Sequence, residues 1–261
     1  MDFLTIANRR IETAWHGPPP DVAPTLVLLH EGLGCVAMWR EFPKTLAART
    51  GLGVFVYSRP GYGKSDTVTL PRPLDYMHEE AFEILPQILN AVGVRDALLV
   101  GHSDGASIAT IYAGGRQDFR IRALVLMAPH FFVEDISIKS IAEAKLAYEQ
   151  DDLRARLARY HGENVDTAFW GWNRAWLDPG FRHWRIDDYL AYVRMPILVI
   201  QGADDQYGTI AQIEAAQRDC YCPVEALVLD NCRHSPQIDR TEATLQAIAT
   251  FAHDVLTSHE E

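Results

Sequence analysis

Near the middle of the chain, an apolar run at 97–100 leads directly into Gly101-His102-Ser103-Asp104-Gly105, and a small-residue stretch with helical spacing follows at 106–113. A strand, a G-x-S-x-G turn and a helix in immediate succession lift a serine hydroxyl clear of a sheet, where it can attack a carbonyl carbon. Glycines on both sides let strand and helix approach each other closely, and the helix start favours negative charge nearby. A serine here could instead merely cap the helix; the full strand–turn–helix context argues for chemistry. Such a serine needs a base and a group that orients the base, and with this elbow both are expected later in the chain. His234 fits the base: it lies in a loop, Asn231-Cys232-Arg233-His234-Ser235-Pro236, just after the apolar run 226–229. His253 falls in the closing helix and His259 in the tail, so neither is as well placed. For the acid, Gln201-Gly202-Ala203-Asp204-Asp205 follows the run 197–200, and spacing alone leaves Asp204 and Asp205 both open. The other would cap the helix that begins near 206–209.

These residues need a scaffold that brings three strand ends to one edge. Short continuous apolar runs at 25–29, 54–57, 97–100, 123–127, 197–200 and 226–229 read as strands buried on both faces, and helical segments at 38–49, 77–92, 106–113, 210–218 and 241–256 lie between or after them. That alternation predicts a mostly parallel sheet covered on both sides. The start of the chain, 3–6 and 10–15 around Ala7-Asn8-Arg9, reads as a hairpin of antiparallel edge strands. One stretch breaks the pattern: 131–194 is helical, polar and rich in tryptophan, and is too long for an ordinary connection. It is expected to form a helical cap over the carboxyl ends of the strands, where open sheets of this kind place ligands. The division is then a core of 1–130 and 195–261 with the cap at 131–194.

Composition narrows the chemistry. With 261 residues, 48% of them hydrophobic, the chain can bury a full core. Its formal charge of −11 and lack of a basic run disfavour nucleic-acid and anionic-membrane partners and suit an uncharged or cationic small molecule. The first residues lack a signal-peptide pattern and no stretch reaches membrane-spanning length, so a cytoplasmic location is expected, as monomer or homodimer. Cys35, Cys220, Cys222 and Cys232 form no CxxC pair and have no histidine at zinc spacing. They read as reduced thiols, and neither a metal nor a cofactor is expected.

Five motifs in this order resemble the α/β-hydrolase superfamily along essentially the whole chain. His30-Glu31-Gly32-Leu33-Gly34 resembles the oxyanion loop, and Ser58-Arg59-Pro60-Gly61-Tyr62-Gly63-Lys64-Ser65 resembles the D-x-x-G-x-G-x-S segment. The Ser103 elbow, the G-x-x-D turn ending at Asp205 and His234-Ser235-Pro236 complete the set. The resemblance implies an α/β-hydrolase fold with an eight-stranded sheet and a helical cap after the sixth strand. It further implies a catalytic triad of Ser103, Asp205 and His234, and an oxyanion hole from the N–H groups of Asp104 and Gly32, with Leu33 as a shifted alternative. Two positions depart from it: Glu31 stands where glycine is usual and Ser58 where aspartate is usual. A carboxylate beside an oxyanion would oppose catalysis, so the Glu31 side chain must point away, into a salt bridge or loop hydrogen bond, or else serve substrate recognition. Pocket candidates are Glu31, His130, Trp170, Trp172 and Trp176. The implied activity is hydrolysis of a small, apolar ester or lactone-like carbonyl. Carbon–carbon hydrolysis of ring-cleavage products, or ligand holding with little turnover, would use the same groups. Relatives with an aspartate nucleophile, the dehalogenases and epoxide hydrolases, are disfavoured by Ser103.

Overall fold

The computed structural model describes residues 2–257; His259 lies outside them. Eight strands build one sheet in the order β1-β2-β4-β3-β5-β6-β7-β8: β1 (Asp2–Ile6), β2 (Arg9–His16), β3 (Thr25–Leu29), β4 (Gly53–Tyr57), β5 (Ala97–His102), β6 (Ile121–Met127), β7 (Ile197–Gly202) and β8 (Val224–Leu229). β1 pairs with β2 and β2 with β4 antiparallel, and every other pairing is parallel. The hairpin turn has Ala7 at φ 50° and Asn8 at φ 60°. Two successive left-handed residues make the turn whose twist matches antiparallel strands, so β2 begins at Arg9.

Side chains alternate between two cores. Leu26 and Leu28 of β3 face one cluster with α1 (Phe42–Thr50) and the closing helix, while Val27 and Leu29 face the other, built on the helices that follow β4 and β5. The remaining helices are α2 (Tyr76–Glu79), α3 (Leu85–Val92), α4 (Asp104–Gly115), α5 (Asp135–Gln150), α6 (Leu153–His161), α7 (Val165–Trp176), α8 (Ala211–Asp219), α9 (Pro236–Asp239) and α10 (Thr241–Thr257). Two expected helices are interrupted. The segment 38–49 becomes a 3₁₀ turn, Val36–Trp39, and then α1, because Arg40 at φ 52° leaves the helical region. The segment 77–92 passes through a π-helical stretch, Glu80–Ile84, just before Pro86, whose missing N–H cannot make the regular bond to the preceding turn.

The insertion after β6 contains α5, α6 and α7, and its two flanks pair with each other outside the sheet. Phe132 bridges Arg185, and the Ile186 N–H donates to the Phe131 carbonyl at 2.7 Å. Among the described residues no helix is long and apolar enough to cross a membrane.

Candidate active site

Ser103 sits between β5 and α4 at φ 52°, ψ −118°, a strained conformation for a residue with a side chain. The close approach of strand and helix dictates its flanking glycines. A methyl group at Gly101 would come within 2.4 Å of the Gly105 carbonyl oxygen, and one at Gly105 within 2.1 Å of the Leu29 carbonyl oxygen. The turn therefore fixes where the hydroxyl points.

His234 Nε2 lies 2.9 Å from Ser103 Oγ, and His234 Nδ1 lies 2.9 Å from both carboxylate oxygens of Asp205. A carboxylate only accepts, so Nδ1 carries the proton and Nε2 is left to accept from the serine hydroxyl. Asp205 is buried, and its oxygens also accept from Gln201 Nε2 at 2.7 Å and the Tyr207 N–H at 2.8 Å. Burial works against its charge, but His234 and the Tyr207 N–H outweigh it and hold the carboxyl below the ordinary aspartate range. Asp204 is exposed, and its N–H ties the turn to the Cys232 carbonyl at 2.9 Å. The Tyr207 ring covers His234 with centroids 4.7 Å apart.

The loop after β3 is shaped by fully buried His30, whose Nδ1–H donates to the Glu31 carbonyl at 2.7 Å while Nε2 accepts the Arg59 N–H at 3.0 Å. Arg59 Nη2 donates to the same carbonyl at 2.8 Å. Gly32 lies under the Trp172 indole: a methyl group there would come within 2.3 Å of the ring. The Leu33 carbonyl accepts from His161 Nε2 at 2.9 Å, and His161 Nδ1 accepts the Gly63 N–H at 3.0 Å, so α6 clamps two loops of the core together. As the first residue of α4, Asp104 has an N–H with no partner inside the helix. Its buried carboxylate accepts from Tyr76 Oη at 2.6 Å, which in turn accepts from Trp176 Nε1 at 3.1 Å.

Both departures from the motif pattern have visible partners. Ser58 donates to Glu12 Oε2 at 2.7 Å, and the Lys64 N–H donates to the same oxygen at 2.8 Å. Glu12, buried on β2, thus supplies a carboxylate to a segment that lacks its usual aspartate. The Glu31 carboxylate turns back to His102 Nδ1, at 3.4 Å. Of the pocket candidates, Trp172 reaches the loop after β3 at Gly32, and Trp176 packs edge-on against His130 at 5.1 Å between centroids. His130 is buried, 5.6 Å from the His234 ring, with Nδ1 unpartnered. Trp170 is brought elsewhere, against Tyr148 and Phe169 with Arg174 over its face. Glu12, His102, Tyr76 and His161 were not legible as contributors, since each pairs with a residue distant in the chain, and Gln201, four residues before its partner Asp205, lies at the end of a strand outside the G-x-x-D motif.

Residues 26–247 match the Alpha/beta hydrolase family, and the chain belongs to it. A human (lyso)-N-acylphosphatidylethanolamine lipase is 28% identical over 131 residues, 50% of this chain and 37% of the lipase. A 2-hydroxy-6-oxononadienedioate/2-hydroxy-6-oxononatrienedioate hydrolase of Paraburkholderia phymatum is 26% identical over 218 residues, 70% of this chain and 71% of that enzyme. The chain spans little more than a third of the first curated relatives it matches, 37% and 36%. Among solved structures, a bacterial membrane phospholipase A superposes with a TM-score of 0.80 over 97% of this chain and 86% of that one, at 21% identity. That likeness speaks to the fold.

Proposed function

We propose that the protein is a serine hydrolase acting on a small, apolar ester or lactone-like carbonyl. The observation that carries this reading is the unbroken chain from Ser103 Oγ through His234 to Asp205, each link 2.9 Å long. His234 takes the Ser103 proton as the oxygen attacks the carbonyl carbon, and Asp205 fixes the tautomer and stabilises the imidazolium. The N–H groups of Asp104 and Gly32, or Leu33 in a shifted pose, receive the oxyanion, each donor contributing about 3–4 kcal/mol. His234 returns the proton to the leaving group, then activates the water that releases the acyl group. Residues 131–194 act as a cap over a core of 1–130 and 195–261, with Trp172, Trp176 and His130 around the pocket and the substrate arriving from the cytoplasm.

A second reading, hydrolysis of a carbon–carbon bond beside a ketone, uses the same groups. It is supported by the match to the Paraburkholderia phymatum enzyme over most of both chains. Labelling with a fluorophosphonate probe, read by intact mass, tests the serine. A panel of p-nitrophenyl esters, lactones and ring-cleavage products then separates the two readings. Normal turnover by Ser103→Ala would remove the proposal.

A further inference from the structure

The glutamate of the oxyanion loop is built into the core side of the site. Its carboxylate folds over Gly34, where a methyl group would come within 2.3 Å of Oε2, so glycine at 34 is what gives the side chain room. From there Oε2 reaches His102 Nδ1 at 3.4 Å. His102 is 1% exposed and occupies the position immediately before the nucleophile. Its other ring nitrogen, Nε2, lies 2.7 Å from the main-chain carbonyl oxygen of His234. A carbonyl accepts only, so Nε2 holds a proton, while Nδ1 lies at ion-pair distance from the Glu31 carboxylate. Gln237 closes the same pocket, with its Nε2 amide 3.0 Å from Nδ1. Burial disfavours the doubly protonated ring, but Glu31 as counter-ion prevails and holds the His102 pKa above its ordinary value.

We propose that Glu31 and His102 form a positioning pair that fastens the main chain at His234, joining oxyanion loop, nucleophile elbow and base loop through one ion pair and one hydrogen bond. The inference rests on the serine-hydrolase reading and assigns Glu31 no contact with substrate. The base loop follows β8, the edge strand, much of which is exposed. The His234 carbonyl is gripped from the elbow side by His102, while the neighbouring Cys232 carbonyl is tied to the Asp204 N–H and the Arg233 N–H to Asp239. A displacement of about 1 Å at a reacting group costs on the order of 10²-fold in rate, which sets the scale of what the pair protects.

The test compares wild type with Glu31→Gly, Glu31→Gln, His102→Phe and the double variant Glu31→Gly/His102→Phe. The readouts are the rate constant of fluorophosphonate labelling, kcat and KM for p-nitrophenyl acetate, and Tm. Glu31→Gly and His102→Phe should each lower kcat and the labelling rate by about 10- to 100-fold with KM within about twofold, and the double variant should fall no further, as for residues acting as one unit. Glu31→Gln, which keeps a hydrogen-bonding group without the charge, should lie between wild type and Glu31→Gly; it carries the comparison if Glu31→Gly does not fold. A raised KM at unchanged kcat would make Glu31 a substrate contact. A lowered Tm with unchanged kcat would make the pair merely structural, and additive losses would uncouple the two residues; each of these overturns the inference. If wild type is not labelled at all, the serine reading falls first and the pair with it, so the two failures are told apart.

Discussion

Adjacent aspartates on one turn receive opposite surroundings. Asp205 is buried and satisfied by His234, Gln201 and the Tyr207 N–H, whereas the Asp204 side chain faces solvent. Asp205→Asn should lower kcat on the order of 10⁴-fold, because an amide at this position leaves His234 with the wrong tautomer. Asp204→Asn should leave kcat nearly unchanged, and steady-state kinetics on the two variants decides the assignment. His130 makes a separate prediction. Burial, then the nearby His234, pushes its pKa down to about 3 from an ordinary 6.5. Between those values the unfolded chain binds the proton and the folded chain does not, so stability falls as pH drops from 6.5 toward about 3. His130→Phe keeps a ring against Trp176 and removes both this loss and the unpartnered Nδ1. Its Tm relative to wild type should rise as pH is lowered through that window, and a pH-independent difference would show that His130 does not remain neutral in the fold.

Elements legible in the sequence are those whose residues face a single kind of surrounding. The parallel strands β3 to β7 are buried on both faces, so each is a continuous apolar run, and the elbow is legible because only glycine fits beside Ser103. Glu12 is hidden because its partner, Ser58, is 46 residues away, and nothing local in β2 announces a buried acid. The break at Arg40 has no local sign either, whereas the π-helical stretch is foreshadowed by Pro86. The tryptophans of α7 were separable in principle. Trp172 and Trp176 are four residues apart and share a face, while Trp170 is rotated by roughly 200° from Trp172. The structure follows that geometry, with Trp172 on Gly32, Trp176 on His130 and Trp170 on Tyr148. Trp172→Ala should therefore change the ratio of KM for long-chain to short-chain esters, besides costing about 3–5 kcal/mol for a buried ring. Trp170→Ala should lower Tm and leave the ratio alone. Measuring KM across acyl-chain length alongside Tm checks both, and an unchanged ratio in Trp172→Ala would move the pocket elsewhere.

For the molecule as a whole, 35 acidic against 24 basic residues make the surface strongly negative. The site adds no compensating surplus: the Asp104 and Glu31 carboxylates are met by the buried Arg59 and by His102, and Asp205 by the His234 ring. An anionic substrate thus approaches a repulsive field, whereas a neutral one is indifferent to it and a cationic one is drawn in. This separates the two readings of function, because a dienedioate carries two negative charges and a simple ester none. For three esters matched in size and leaving group, kcat/KM should rank ammonium-bearing at or above neutral, and neutral above carboxylate-bearing. Salt should compress the ranking from both ends, since the screening length shrinks from about 10 Å at ~0.1 M to about 3 Å at ~1 M. The neutral ester should hardly respond. A carboxylate-bearing ester that is preferred at low salt, and loses its advantage as salt rises, would reveal a local cationic subsite that overrides the net charge and would favour the dianionic ring-cleavage product over the ester.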